Sequence, residues 1–369
     1  MKHDTSHNGS QTHAIANQEH PIFSGNLYIF SAFDIGFDID FKSIKQFKEV
    51  RTEHVHVSKF FKHYHLPLEI ELFQAQADSS RCVSSKIHQF GAVSLTYKIP
   101  ITDTLPNLRT TIIKLDEKYQ KQGVNDAYAI YKKIKPFIVK PNFYHLKSTY
   151  SVIQLNVNKD ITGAQIKSQY GHDIATLLRF ETESLSDFQK EIIVASSIGY
   201  FTKDLIIVDN QAAFIYDPQY KELLDFFELG NIQQLELHYF DKLLDKQLAT
   251  LYERKTQSLP LLSYMPFIGS RYFDPIGDLN KLKVDISVIT ERLESSIKLG
   301  GETYFSEIYN LIIKQLDIRS WQKSIDKKLN IIKEIRYVYQ NKVDANREDL
   351  ISILIITLIM IEVGLALLK

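Results

Sequence analysis

The chain has little of what small secreted proteins and phosphate-loop enzymes depend on. One cysteine, Cys82, occurs in 369 residues. That excludes an intrachain disulfide framework, fits a reducing compartment and leaves Cys82 a packing residue. Net charge is missing too: 44 basic residues against 44 acidic ones give zero, so no whole-molecule attraction to nucleic acid or to an acidic partner follows. No glycine-rich phosphate loop follows a strand-like run, and there is no nucleophile elbow, zincin motif or cysteine pair. Catalysis is therefore not expected, and no cofactor is implied. The first twenty residues contain no apolar stretch and no arginine, which excludes a secretory signal and argues against a mitochondrial presequence. His3, His7, His13 and His20 are spaced irregularly there, as in a disordered polar tail rather than a metal site.

What the chain does have is a core-forming composition, 44% hydrophobic, and a length that predicts two folded parts. We read an α+β organisation: a polar tail over 1–21, a mixed α/β domain over 22–216, a helical bundle or coiled-coil stalk over 217–349, and an apolar segment over 350–369. Asn26 to Phe41 reads as an early strand bent near Gly36, with Asp34, Asp38 and Asp40 in turn and solvent-face roles rather than sharing a metal. Phe90 to Ile101 reads as a second strand ended by Pro100 and the turn residues 103–106. Tyr150 to Val157 and Glu191 to Ile198 read as strands, Gly163 to Phe180 as a helix, and 205–216 as a hairpin turning at Asp209-Asn210-Gln211.

Histidines recur at His54 and His56, at His63 and His65, and at His88. Members of each pair point the same way in an extended chain, so they could clasp a metal or a phosphate. No carboxylate or cysteine stands at ligand spacing, so a metal-dependent enzyme is the alternative reading, not the preferred one. Asn107 to Lys135 is helical, with Gly123 as a break. Between Lys114 and Lys147 eight lysines face three acids, an excess of five positive charges. Lys114, Lys118, Lys121, Lys132, Lys133 and Lys135 lie beside Tyr128 and Tyr131, a patch suited to RNA or to anionic headgroups. The plainer reading is a solvated helix face with its tyrosines turned inward.

From Pro218 apolar residues recur at helical steps, interrupted at Gly230; Thr256 to Gly277 is too rich in proline and glycine for a regular helix, and Asp278 to Leu299 resumes one. Tyr304 starts the final run. There Ile318, Ile325, Ile332 and Tyr339 repeat every seven residues, with Trp321 and Ile335 three positions after the first and third. This is a partial coiled-coil seam, interrupted by Lys328 and Lys342, that could pack within the chain or against another copy.

From Ile351 to Leu368 only Ser352, Thr357, Glu362 and Gly364 break an apolar run in which twelve positions are Ile, Leu or Val. A helix of that length covers roughly 27 Å, enough to cross a bilayer. Those twelve favour insertion by roughly 4 to 7 kcal/mol, against about 3 for a central carboxylate. With only Lys369 beyond it, the segment reads as a tail anchor for a head on the cytoplasmic side. Glu362 shares a helix face with Ile355, Leu358, Leu365 and Ala366. A carboxyl among lipid tails turns towards protein or water, so this face is the expected contact between copies.

Leu316-Asp317-Ile318-Arg319, Ile325-Asp326-Lys327-Lys328-Leu329, a charged helix of matching length and Leu358-Ile359-Met360-Ile361-Glu362-Val363 resemble the C-terminal signature of the family of proteins Required for Meiotic nuclear Division. Weaker likenesses lie at 27–40, 212–216 and 246–253. The resemblance covers about 150 residues, and 41–190 looks like an insertion or a diverged part. The family's Leu-Glu-Trp before the anchor is Ile351-Ser352-Ile353 here, its helix Asn is Asp326, and a Pro-Asp-aromatic-Trp segment is reduced to Glu302-Thr303-Tyr304-Phe305. The resemblance implies a membrane-attached, self-associating, non-catalytic scaffold whose mitochondrial members support organelle translation. Lacking a presequence, this chain is expected to be a bacterial relative in the inner membrane. Its expected partners are the membrane, further copies of itself and a cytosolic protein or ribonucleoprotein.

Overall fold

β1 (Phe23–Asp34) is the axis of the structure: it pairs antiparallel with β6 (Ala92–Asp103) on one side and with β8 (Lys147–Leu155) on the other. Alternate residues of β1 enter different cores. Leu27, Ile29 and Phe33 face one side of the sheet, Tyr28 and Phe30 the other. A strand covered on both faces has almost no solvent-facing position, which is why Leu27 to Phe33 is apolar or aromatic except at Ser31. The computed structural model describes residues 21–36, 38–46, 52–54, 67–70, 81–143, 147–158, 160–181, 183–255 and 303–368.

Among these residues nine strands form one sheet in the order β3-β4-β5-β6-β1-β8-β11-β10-β9. The remaining members are β3 (Thr52–His54), β4 (Leu68–Ile70), β5 (Cys82–His88), β9 (Ser197–Ile198), β10 (Leu205–Val208) and β11 (Ala212–Tyr216). Pairing is antiparallel except between β8 and β11, which run parallel. A small ribbon of β2 (Asp38–Ile39) and β7 (Ile138–Val139) stands beside it. β6 continues through Pro100, which lies opposite Asn26. β5 accompanies β6 only as far as Tyr97, so the missing N–H falls where β6 has no outer partner.

α2 (Leu105–Ile134) and α3 (Gly163–Leu178) cover the first face, burying Leu108, Ile112, Tyr119, Ile130, Ile166 and Ile174. A reciprocal cap between Thr162 and Gln165 starts α3. α2 runs through Gly123 without interruption. That glycine marks a close approach to the sheet: a Cβ there would lie 3.4 Å from Ser31 Oγ and 3.5 Å from Phe33 Cζ. Residues 191–195 of the strand expected over Glu191 to Ile198 belong instead to α4 (Asp187–Ala195), and only Ser197–Ile198 are extended. Ser186 caps α4 by accepting from Gln189 N–H at 3.3 Å, and Ile193 anchors it in the core. The short α1 (Phe41–Gln46) follows β2.

α5 (Tyr220–Lys255) covers the second face, with α6 (Thr303–Gln315) and α7 (Ile318–Leu367) on the same side. Tyr150 of β8 stacks on Phe227 of α5 at 5.7 Å, and Phe226 on Phe305 of α6 at 5.7 Å. The helical region therefore shares a core with the sheet. α5 is not interrupted at Gly230 either; a Cβ there would lie 2.8 Å from Ile312 Cγ2 and 3.0 Å from Leu316 Cδ1. The final run is two helices, separated at Asp317, whose φ of 54° is left-handed. The expected irregular stretch 256–277 and helix 278–299 lie outside the described residues.

Candidate functional site

The two halves of α7 have different surroundings. In the first half Ile318, Ile325 and Ile332 are buried and Ile335 packs against the same cluster. Trp321 meets the ring of His238 on α5 edge-on at 4.3 Å. The seam thus faces α5 of its own chain. Lys328, which breaks the heptad, places Nζ 2.6 Å from a carboxylate oxygen of Asp241 and 2.6 Å from one of Asp245. Side-chain placement at Tyr339 and Lys342 lies outside the description.

Among the described residues none covers the apolar stretch of the second half. Arg347–Leu367 spans 21 residues, and the apolar window within it has a mean hydropathy of 2.7 with none of that window buried. Ile355, Leu358 and Leu365 are 51%, 64% and 63% exposed, and Glu362 and Ala366 are exposed on the same face. Among the described residues this is the one helix long and apolar enough to cross a membrane.

The basic patch lies on α2, across the sheet from α5. Lys114, Lys118, Lys121, Lys132, Lys133 and Lys135 are all exposed. The rings between them turn inward: Tyr131 is buried, and the partly exposed Tyr128 stacks on Tyr131 at 6.1 Å and meets Phe143 edge-on at 5.3 Å. Lys132 Nζ stands 4.6 Å from the centre of the Tyr128 ring. The patch is a row of ammonium groups with one accessible ring rather than a series of stacking platforms.

Sequence reasoning missed a polar layer between α5 and the strands β1, β5 and β6. Lys86 Nζ lies 2.5 Å from Glu228 Oε2, Ser94 Oγ donates to Glu228 Oε1 at 2.8 Å, and His88 Nε2 is 2.9 Å from Ser94 Oγ. Burial works against the Glu228 charge, but Lys86, with help from His88 and Ser94, outweighs it and holds the carboxyl below its usual value. Burial pushes His88 down to about 4, so its neutral ring gives its N–H to Ser94 while Ser94 gives its own to Glu228. The resemblance to a catalytic triad stops there. The serine proton is committed to a carboxylate, and Ser94 is 3% exposed. Next to this chain, burial raises Asp34 to about 7, partly offset by the Gly36 N–H. Burial and the nearby Asp34 charge hold Glu236 well above its ordinary value.

The three aspartates near β2 do not converge. Asp34 is buried, Asp38 accepts from the N–H of Ile39, and Asp40 accepts from the N–H groups of Lys42 and Ser43 at the start of α1. Burial pushes the Cys82 thiol up to about 12, so it is not a nucleophile. Of the histidine pairs only His54 falls among the described residues; His56, His63 and His65 lie outside them. Among the described residues no three His, Cys, Asp or Glu side chains gather as a metal ion requires.

One cavity of about 540 Å3 opens where β11 ends and β10 begins, lined by Tyr200, Phe201, Asp204, Asp217 and Tyr304 among others. Tyr304 donates to Asp217 Oδ2 at 2.7 Å, and the N–H of Phe201 donates to Asp204 Oδ2 at 2.8 Å.

These features define an α+β domain, its sheet sandwiched between helices, that carries one long apolar helix. Residues 24–222 match the family described as "Uncharacterized protein MJ0711, N-terminal domain", and the chain belongs to that family. The match spans the central sheet from β1 to β11, so the stretch 41–190 is part of the family's domain. The uncharacterized protein MJ0711 of Methanocaldococcus jannaschii is 26% identical over 198 residues, 53% of this chain and 59% of that protein, so the chain spans less than two thirds of its relative. No solved structure matches.

Proposed function

We propose that this chain is a membrane-anchored, self-associating, non-catalytic scaffold that presents its α+β head to a cytosolic partner. The observation that carries this reading is the bare apolar half of α7. Leaving so many Ile and Leu side chains in water costs about 1.5 to 3 kcal/mol each, and lipid removes that cost. On the head side of the stretch, Lys333, Arg336, Lys342 and Arg347 supply four basic residues within about twenty positions. That bias favours a cytoplasmic head at the inner face of the cell membrane. The resemblance of residues 316–329 and 358–363 to proteins Required for Meiotic nuclear Division supports the same anchored arrangement and a partner in the translation machinery. The exposed lysine row on α2 is the contact surface we assign to that partner.

Fractionation of the full chain tests the anchor. The protein is expected in the membrane pellet after ultracentrifugation, to resist alkaline carbonate and to be released by detergent. A variant with Ile355→Lys and Leu358→Lys is expected in the supernatant. Recovery of the unmodified chain as a soluble, unaggregated species without detergent overturns the proposal.

A further inference from the structure

We propose that the cavity at the end of β11 binds a small organic ammonium ion. Its place in the fold is where open sheets take ligands, outside the carboxyl ends of parallel strands. β8 and β11 are the parallel pair here, and Asp217 immediately follows β11. Its volume of about 540 Å3 falls within the usual range for small-molecule sites, roughly 300 to 1,000 Å3.

The chemistry of the wall selects the charge. Asp204 and Asp217 are both buried and close enough for each charge to act on the other. Asp217 Oδ1 accepts from the N–H of Gln219 at 2.6 Å, so its two oxygens are fixed, one by Gln219 and one by Tyr304. Three rings line the same cavity: Tyr200 meets Phe201 edge-on at 4.9 Å and lies 5.3 Å from Tyr304, centre to centre. Tyr200 and Phe201 are 61% and 66% exposed, so their ring surface is open to a solute entering the cavity. Ring faces attract a cation, and two carboxylates in the same wall add to that attraction. A phosphate or carboxylate ligand would be repelled, and an uncharged solute would gain only apolar contact. Among the described lining residues the one cationic side chain is Lys203, exposed on the rim, where its flexible stem lets it swing aside. The site stands apart from α7 and does not rest on the anchor proposal.

Calorimetric titration of the full chain in a neutral maltoside detergent tests this, with choline as the probe. Its uncharged isostere, in which a quaternary carbon replaces the nitrogen, is the control. Saturable choline binding is expected, with the isostere at least about tenfold weaker. Tyr200→Ala, at an exposed position, is expected to weaken choline by about tenfold, and Lys203→Ala to tighten it. A third arm uses phosphatidylcholine vesicles against phosphatidylglycerol vesicles with the Ile355→Lys, Leu358→Lys chain. Selective vesicle binding lost in Tyr200→Ala assigns the ammonium to a lipid headgroup, and free choline binding alone assigns it to a soluble ligand. No binding in any arm, equal binding of the isostere, or indifference to Tyr200→Ala overturns the proposal.

Discussion

Lys328 of α7 sits between Asp241 and Asp245 of α5, with its Nζ 2.6 Å from an oxygen of each. The residue that breaks the heptad is the one that fixes which helix the seam faces. A leucine would pack there as well against any apolar partner; a lysine with two aspartates across from it favours this one. Lys328→Ala is expected to destabilise the head by about 1 kcal/mol at low ionic strength and by less in high salt, since the three groups lie near the surface. Urea unfolding at two salt concentrations measures both numbers, and a salt-independent loss would mean that packing of the lysine stem, not charge, is responsible.

Two glycines inside helices predict opposite outcomes. A Cβ at Gly230 would press on Ile312 and Leu316 at 2.8 and 3.0 Å, so Gly230→Leu should cost about 1–3 kcal/mol through overpacking between α5 and α6. At Gly123 the nearest atoms are 3.4 Å away or more, ordinary contact. There Gly123→Ala should stabilise, by up to about 1 kcal/mol, because alanine is the better helix former. Thermal melts of the two variants should move in opposite directions.

The buried polar layer makes stability depend on pH in two separable ways. His88 is held down to about 4 in the folded chain from an ordinary 6.5. Between those values the unfolded chain binds the extra proton, so stability falls as pH drops through this window. Asp34 is raised to about 7 from 3.8, so the folded chain holds its proton longer and stability falls as pH rises from about 4 to 7. Each contributes a slope of at most about 1.4 kcal/mol per pH unit. The two slopes oppose each other over nearly the same window, so His88→Gln should leave stability falling as pH rises from about 4 to 7, and Asp34→Asn should leave it rising from about 4 to 6.5. Asp34→Asn should also be more stable than the parent at pH 8. Unchanged slopes in both variants would show that neither group is perturbed by burial.

Glu362 shares the exposed face of Ile355, Leu358, Leu365 and Ala366. If that face joins anchors, Glu362→Leu should reduce the oligomer size measured by light scattering in detergent, whereas Glu362→Gln, which keeps hydrogen bonding, should retain it. An unchanged size for Glu362→Leu removes this face from the self-association proposal.

Much of the sheet was legible because its signals are local. Strands β1, β6, β8, β10 and β11 show in apolar runs of the right length, and α3 in a Thr-x-x-Gln cap followed by apolar periodicity. α4 was misread because Ile192-Ile193-Val194 is a β-branched run. The cap at Ser186, which outweighs it, lies six residues upstream. Both helical glycines were read as breaks for a related reason: a glycine that admits a neighbouring element is indistinguishable in sequence from one that ends a helix. The seam on α7 was legible, but its partner was not, because Asp241 and Lys328 are 87 residues apart. The polar layer was invisible for the same reason. Lys86 and Glu228 are separated by 142 positions, and each alone looks like a surface charge. The cavity likewise draws on 200–204, 217–219 and 303–305, three segments that only the folded chain brings together.

The left-handed turn at Asp317 releases α7 as one uninterrupted rod of 50 residues, about 75 Å long. Among the described side chains the last of α7 packed against the head's core is Ile335, and the greasy portion begins near Ile351, sixteen residues on, about 24 Å of helix. In the anchored arrangement the head therefore rides on a mast instead of lying against the headgroups.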